Sequence, residues 1–173
     1  MNTMLTAIKE RRSTKSFTSD MPKDSDIEKI IEAGLQAASG RNKQSPIIIA
    51  VTNKEIRDKL SAANAAVMGA SADPFYNAPV VLVVLADKTV NTRVCDGSIS
   101  IANMMLAADS LGLGSCWIHR AKETFELAEW QEWLKSIGVE GEYEGIGNCV
   151  IGYTNEKRRA APEIRPNRVY YVK

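Results

Sequence analysis

A dense basic site near the start of the chain is Arg11-Arg12-Ser13-x-Lys15. Two guanidinium forks, a hydroxyl and an ammonium this close together can clamp a phosphate bidentately, and the same run can be a solvated loop. A second polar stretch, Ser39-Gly40-Arg41-Asn42-x-Gln44, places two carboxamides and a conformationally free glycine past a helix end. Side chains that both donate and accept suit the edge of a heterocycle; a loop closed by its own turn hydrogen bonds is the alternative. The third stretch, Cys116-Trp117-Ile118-His119-Arg120, reads as a strand entering a loop with large aromatic and basic groups. There His119 can be a general acid, a stacking ring or an exposed loop residue.

Other chemistries fall away on counts. The chain lacks a phosphate-binding G-x-x-x-x-G-K-[ST] loop, a G-x-G-x-x-G fingerprint and an H-E-x-x-H helix. Gly112-Leu113-Gly114 follows a helix rather than a strand and reads as a helix stop and tight turn. His119 is the only histidine, which removes multi-histidine metal sites and mechanisms needing two imidazoles. The 22 Lys and Arg balance 21 Asp and Glu to a formal charge of +1, so no global field pulls the protein toward nucleic acid or an anionic membrane. The cysteines (Cys95, Cys116, Cys149) are odd in number and widely spaced, which predicts reduced, buried, inert thiols in a cytosol. Met1 to Glu10 carries no long apolar segment, and the apolar run Ala78 to Ala86 is too short to span a bilayer. These features predict a soluble, cytoplasmic protein. At 173 residues and 45% hydrophobic, residues 1–173 are expected to form a single domain.

The positioning elements follow from periodicity. Met4, Leu5 and Ile8 predict a short amphipathic helix leading into the basic run. Ser25-x-x-Glu28 reads as a capping box ahead of Ile27, Ile30, Ile31, Leu35 and Ala38, with Gly40 as the stop. Pro46 opens a β-branched strand, Ile47 to Val51. Thr52-x-x-Glu55 reads as the cap of a helix carrying Ile56, Leu60, Ala63 and Val67. Val80 to Leu85 is apolar on both faces and predicts a central strand. Cys95 to Leu111 has almost no polar face, which points to a helix in a subunit interface. Ser115 to Ile118 predicts a strand, Phe125 to Ile137 a helix with Trp130 and Trp133, and Gly147 to Gly152 a last strand. A basic, Pro-containing tail follows from Thr154, with Arg168 to Val172 extended. Alternating strands and helices alone would predict a parallel sheet.

Taken together, R-R-S-x-K-x-F, S-G-x-N-x-Q, G-L-G-S-C-W-I-H-R and a closing I-G-Y before the basic tail resemble the nitroreductase family of FMN-dependent oxidoreductases, from about Ile8 to Arg165. The resemblance implies an α+β fold: a three-layer α-β-α sandwich of the nitroreductase type with a mainly antiparallel central sheet. It implies an obligate homodimer with FMN at the interface and the tail, 154–173, reaching the partner subunit. By this likeness Arg11, Arg12 and Ser13 match positions holding the FMN phosphate and ribityl chain, and Lys15 the lysine near the N1/O2 edge of the isoalloxazine. Ala38, Ser39, Gly40, Asn42 and Gln44 match the loop supplied by the other subunit. Ile118, His119 and Arg120 match the segment whose backbone N–H groups approach N5 and O4, and Arg165 a phosphate-binding arginine. Three departures stand out. Gln44-Ser45-Pro46 replaces a frequent Gln-Pro-Trp, Glu163 stands where a basic residue is common, and Val67 to Pro79 is short beside the larger members.

The activity implied is hydride transfer from NAD(P)H to flavin N5, then electron transfer to a nitroaromatic, quinone or similar small-molecule acceptor by a ping-pong mechanism. Lys15 would support the reduced ring, no side-chain nucleophile is needed, and no metal is expected. The rival readings are a flavin-binding sensor or carrier without turnover, a relative with deiodinase or flavin-fragmenting chemistry, and a dimeric α+β domain without a cofactor.

Overall fold

The computed structural model describes residues 3–173, so the first two residues of the Met1–Glu10 stretch lie outside it. Its described residues form helices α1 (Thr3–Glu10), α2 (Asp24–Leu35), α3 (Lys54–Met68), α4 (Arg93–Ser110), α5 (Ala121–Phe125) and α6 (Ala128–Ser136). Four strands accompany them: β1 (Pro46–Val51), β2 (Val80–Asp87), β3 (Gly114–Ile118) and β4 (Tyr143–Gly152). The sheet runs β1-β2-β4-β3 and every neighbour is antiparallel. This overturns the parallel sheet that pattern alone predicted. A strand covered on both faces reads as a continuous apolar run whichever way its neighbours point.

β2 shows why three layers form. Val81, Val83 and Leu85 face a core closed by α3, α5 and α6, with Leu60, Phe125, Trp130 and Leu134. Val80, Leu82 and Val84 face a second core closed by α2 and α4, with Ile30, Ile101 and Met104. Each of these six β2 side chains is fully buried, contributing about 1.5–3 kcal/mol apiece from lost water contact. The register slips between Val84 and Leu85, leaving Ile146 of β4 unpaired as a bulge. A Cβ on Gly97 of α4 would lie 2.7 Å from the Ile146 side chain.

Several boundaries differ from expectation. α2 stops at Leu35 rather than near Ala38, because Ser100 Oγ and Asn103 Nδ2 of α4 donate to the carbonyls of Gly34 and Ala33 (2.9 and 3.2 Å). The Ser25 capping box does not form; α2 begins at Asp24 after Lys23, with no side-chain cap. The α3 cap is Asn53, whose side chain accepts from Ile56 N–H, and not Thr52. The expected helix from Phe125 to Ile137 is two helices, since Leu127 is extended (φ −68, ψ 137). Cys116 and Cys149 are buried, but Cys95 is exposed, on the outer side of α4. There Val94 and Ile99 are exposed as well, while Ile101, Met104 and Ala108 are buried in the core, so the apolar surface that α4 leaves uncovered is confined to one side. No helix of the described residues is long and apolar enough to cross a membrane.

Candidate functional site

The basic run is held on the outer edge of β3. Ser13 pairs with Ser115 in a parallel bridge, and Thr14 N–H donates to the Ser115 carbonyl (2.9 Å). Thr14 packs so closely on Gly114 that a Cβ there would lie 2.7 Å from its hydroxyl. The run therefore extends the sheet rather than waving in solvent. Ser13 and Lys15 face water, and Lys15 forms no ion pair among the described residues. Its backbone N–H donates to Glu156 (3.2 Å).

The two arginines differ. Arg12 spends Nε on the Ala160 carbonyl (3.2 Å) and one terminal nitrogen on the carbonyls of Lys9 and Arg11 (2.8 and 2.6 Å), closing the end of α1 and pinning the tail. Arg11, by contrast, buries one guanidinium nitrogen with no hydrogen-bond partner. A buried cationic donor left unpaired is costly, which marks it as a group waiting for an acceptor. Burial pushes the Cys116 thiol up, against a hydrogen bond from Ser13 and the charges of Lys15 and Arg11. Arg11, Ser13 and Lys15 thus bear on the middle of β3. Cys149, wholly buried on the other face of the sheet, is pushed up to about 12 by the same loss of solvent. Neither thiol is a thiolate near neutral pH.

At its far end β3 delivers the segment Ile118-His119-Arg120. Ile118↔Asn148 is the last ladder pair, and Arg120 turns left-handed (φ 76) before α5. Two devices fix this turn. Gly145 of β4 lies so near α5 that a Cβ would stand 2.3 Å from the Ala121 carbonyl. Beneath it, Asn148 Nδ2 and Thr124 Oγ1 donate to the Asn64 side-chain carbonyl (3.3 and 3.5 Å) in a fully buried polar cluster. His119 is exposed, its ring 5.8 Å from that of Trp117, and Arg120 pairs with Glu123 (2.6 Å). Among the described residues no carboxylate pairs with His119, and its ring is exposed to solvent.

The Ser39–Gln44 stretch is a tight loop between α2 and β1 containing a 3-10 turn, Gly40–Asn42. Arg41, Asn42 and Gln44 all have positive φ (53, 53 and 48). Gln44 N–H donates to Ser39 Oγ (3.0 Å), and Gln44 Nε2 donates to Asn42 Oδ1 (3.1 Å). Asp96, in the first turn of α4, accepts from Gly40 N–H, Ser45 Oγ and Thr92 Oγ1 (3.0, 3.0 and 2.9 Å). Sequence reasoning missed Asp96; its signal was one acid at the head of an otherwise apolar helix. It also missed the Asn64, Thr124 and Asn148 cluster, which no spacing announces.

Within one chain these stretches divide into two groups. Arg11 to Lys15 and Ile118 to Arg120 share β3, Ser115 and His119 being about 13 Å apart along the strand. The Ala38–Gln44 loop leads into β1, at the opposite sheet edge, about 14 Å across. It also sits at the start of α4, about 20 Å of helix from Asp109, which lines a 170 Å³ cavity with Arg12, Ser13 and Gly114. Arg165 lies in a tail exposed from Lys157 to Lys173. Arg12–Ala160, Arg158–Asp109 (2.9 Å) and Arg159–Glu156 (2.7 Å) tie the start of that tail down.

A central antiparallel sheet between two helical layers, edged by a cationic strip, defines a class of ligand-binding α+β sandwiches. Comparison with known proteins narrows the class. The sequence profile described as the nitroreductase family matches residues 8–72 and 62–153. A protein of Archaeoglobus fulgidus with the provisional name NADH dehydrogenase/NAD(P)H nitroreductase is 34% identical over 181 residues, covering 100% of this chain and 99% of its own. The NADPH-flavin oxidoreductase of Vibrio harveyi is 34% identical over 177 residues, covering 96% and 70%. A crystal structure of a nitroreductase with bound FMN from Bacteroides fragilis superposes with a TM-score of 0.90 at 27% identity over 100% of both chains. The chain belongs to the nitroreductase family of oxidoreductases.

Proposed function

We propose that this protein is an FMN-dependent NAD(P)H oxidoreductase that works as a homodimer, residues 1–173 forming one flavin-binding domain. The observation that carries the reading is the buried, unpartnered guanidinium nitrogen of Arg11 on the strip that also bears Ser13 and Lys15. Its donor set fits a flavin mononucleotide. Arg11, Ser13 and one remaining nitrogen of Arg12 meet the phosphate and ribityl oxygens with charge-assisted hydrogen bonds. Lys15 meets the N1/O2 edge, where an ammonium stabilises the negative charge that two-electron reduction leaves. The main-chain N–H groups of His119 and Arg120, just past Ile118 at the end of the ladder, meet the N5/O4 side, held there by the Gly145 contact and the Asn64 cluster.

When bound, FMN supplies the redox chemistry: hydride from NAD(P)H at N5, then electrons to a nitroaromatic, quinone or similar acceptor, in ping-pong alternation. The chain's own residues bind and orient; no side-chain acid or base is required, in keeping with an exposed, unpaired His119.

The division of the site supports a dimer. Ala38, Ser39, Gly40, Asn42 and Gln44 lie too far from their own strip to share one flavin ring with it, and a two-fold axis brings one protomer's loop to the other's strip. The tail gives a second reason. Tyr170, Tyr171 and Val172 are 83, 84 and 100% exposed, an apolar run that one chain leaves uncovered. Reaching the partner, this tail carries Arg165 with it toward the phosphate.

The test is a visible absorption spectrum of the purified protein, followed by NADH or NADPH without oxygen. Flavin bands that bleach are the expected result. Bands that persist with both donors favour a carrier, and a colourless protein that refuses added FMN refutes the reading.

A further inference from the structure

The loop between α2 and β1 holds three non-glycine residues, Arg41, Asn42 and Gln44, in the left-handed region. Such residues carry a steric cost and persist only where the surroundings over-determine them. Here, beside the loop's own bonds to Ser39 and Gly40, one carboxylate ties down both of its ends. Asp96 is 3% exposed. Its Oδ1 takes the N–H of Gly40, where the loop's turn begins, and its Oδ2 takes the hydroxyls of Ser45, where the loop ends, and of Thr92. Gly40 is wedged on the same residue that helps hold Asp96: a Cβ there would lie 2.5 Å from Thr92 Oγ1. Asp96 has no cationic partner among the described residues. Burial pushes its carboxyl up, but the Gly40, Thr92 and Ser45 donors together outweigh that and hold it below the ordinary range. A buried acid that takes both ends of a strained loop as well as the Thr92 hydroxyl is more than a helix needs at its start.

What the loop presents explains the demand. The side chains of Asn42 and Gln44 are bonded to each other, Gln44 Nε2 to Asn42 Oδ1. That leaves an amide donor on Asn42 and a carbonyl acceptor on Gln44 uncommitted and adjacent. The pyrimidine edge of an isoalloxazine alternates acceptor, donor, acceptor (O2, N3–H, O4), so one donor beside one acceptor is its complement. Both residues make this pairing from a left-handed backbone.

We propose that Asp96 is the positioning residue of the flavin-facing loop: by gripping Gly40 and Ser45 it keeps Asn42 and Gln44 paired, so that their free carboxamide atoms meet the pyrimidine edge of the flavin bound on the other protomer's strip. This rests on the flavin reading above.

The test compares the wild type with Asp96→Ala, Asp96→Asn, Gln44→Ala and the Asp96→Ala/Gln44→Ala double variant. Each is read by FMN dissociation constant (flavin fluorescence quenching), position of the bound flavin's visible bands, and thermal midpoint. Asp96→Ala is expected to weaken FMN on the order of tenfold, about 1.4 kcal/mol, and to shift the bands. Asp96→Asn is expected to recover most of both, since its amide oxygen accepts from Gly40 and its NH2 donates to the rotated hydroxyls of Ser45 and Thr92. The double variant is expected to bind no worse than the weaker single variant, because both act through one pair. Wild-type affinity and bands in Asp96→Ala, or losses that add in the double variant, overturn the proposal. Should Asp96→Ala fail to fold, Ser45→Ala loosens one end of the loop and is read against Gln44→Ala by the same additivity. A wild-type protein that binds no FMN refutes the flavin reading itself; one that binds FMN regardless of Asp96 refutes only this inference.

Discussion

Replacing Arg11 with Met should move two properties in opposite directions. Arg11 buries a guanidinium nitrogen without a partner. An unsatisfied buried donor costs about 1–3 kcal/mol, more when it carries charge. Met keeps much of the packing of the side-chain stem and removes the donor, so the flavin-free protein should lose nothing and gain up to about 1–2 kcal/mol. For a chain of this size that is about 2–8 °C in midpoint. FMN binding should weaken, because a charge-assisted hydrogen bond to a phosphate contributes about 1.5–3 kcal/mol, or roughly ten- to more than a hundredfold in affinity. The assay is differential scanning fluorimetry of the flavin-stripped protein at one fixed concentration, with and without FMN, beside a fluorescence titration. The expected signature is an unchanged or raised midpoint without FMN and a smaller shift when FMN is added. A midpoint that falls by several degrees with FMN affinity intact would show that Arg11 is a structural cation, and the phosphate assignment would fail.

Other consequences follow from residues away from the ligand. Asp73 accepts from Arg57 NH2 (2.6 Å), Ser61, and the N–H groups of Phe75 and Asn77; Arg57 is 9% and Asp73 25% exposed. Asp73→Ala leaves Arg57 with Asp58 (3.1 Å) and the Ala78 carbonyl (2.9 Å) but unties Ser61 and the Phe75 and Asn77 amides, and should cost about 1–3 kcal/mol by urea unfolding; a change under 0.5 kcal/mol contradicts this. Burial raises the Asp73 carboxyl, but Ser61, Arg57 and the two amides outweigh it, so its folded value lies below its unfolded one. Its stabilisation is therefore complete above the unfolded value, about 3.9, and is lost as pH falls through the lower folded one. Asp73→Asn should flatten the acid limb of a stability–pH curve, and an unaltered limb would assign the loss to other groups. Gly145→Ala forces a Cβ against the Ala121 backbone at 2.3 Å and should cost about 1–3 kcal/mol or more while weakening FMN; an unchanged midpoint shows that α5 yields freely. A chain ending at Pro162 lacks the exposed apolar tail and should sediment as a monomer at concentrations where the full chain is a dimer. Undiminished dimer would detach the tail from the interface.

Much of the architecture was written in local patterns, and the misses have physical causes. Pro46 to Val51 and the doubly apolar run from Val80 were unmistakable, since six consecutive buried positions leave no other reading. Strand direction was not, because burial on both faces erases the alternation that would distinguish an antiparallel pair. The break between α5 and α6 carries neither Gly nor Pro; Leu127 turns extended while the Phe125, Trp130 and Trp133 rings pack together across it. The end of α2 was set from outside, by Ser100 and Asn103 of α4 taking its carbonyls, and no pattern inside α2 records that.

The site follows the same division between what a residue announces and what its neighbours decide. Arg11, Ser13, Lys15, Asn42 and Gln44 stood out because cations and carboxamides in short runs suggest ligand chemistry before any fold is known. Their distribution was invisible: nothing in the spacing says that the strip edges β3 while the loop enters β1, on the opposite side of the sheet. That geometry turns a list of polar residues into an argument for two chains, since the halves lie at opposite edges of one sheet and opposite ends of one helix. It also explains why Asp96, Asn148 and Gly145 escaped notice. Each acts on backbone, holding a loop or a turn in place, and a residue that positions another carries no chemical signature of its own until the distance between them is known.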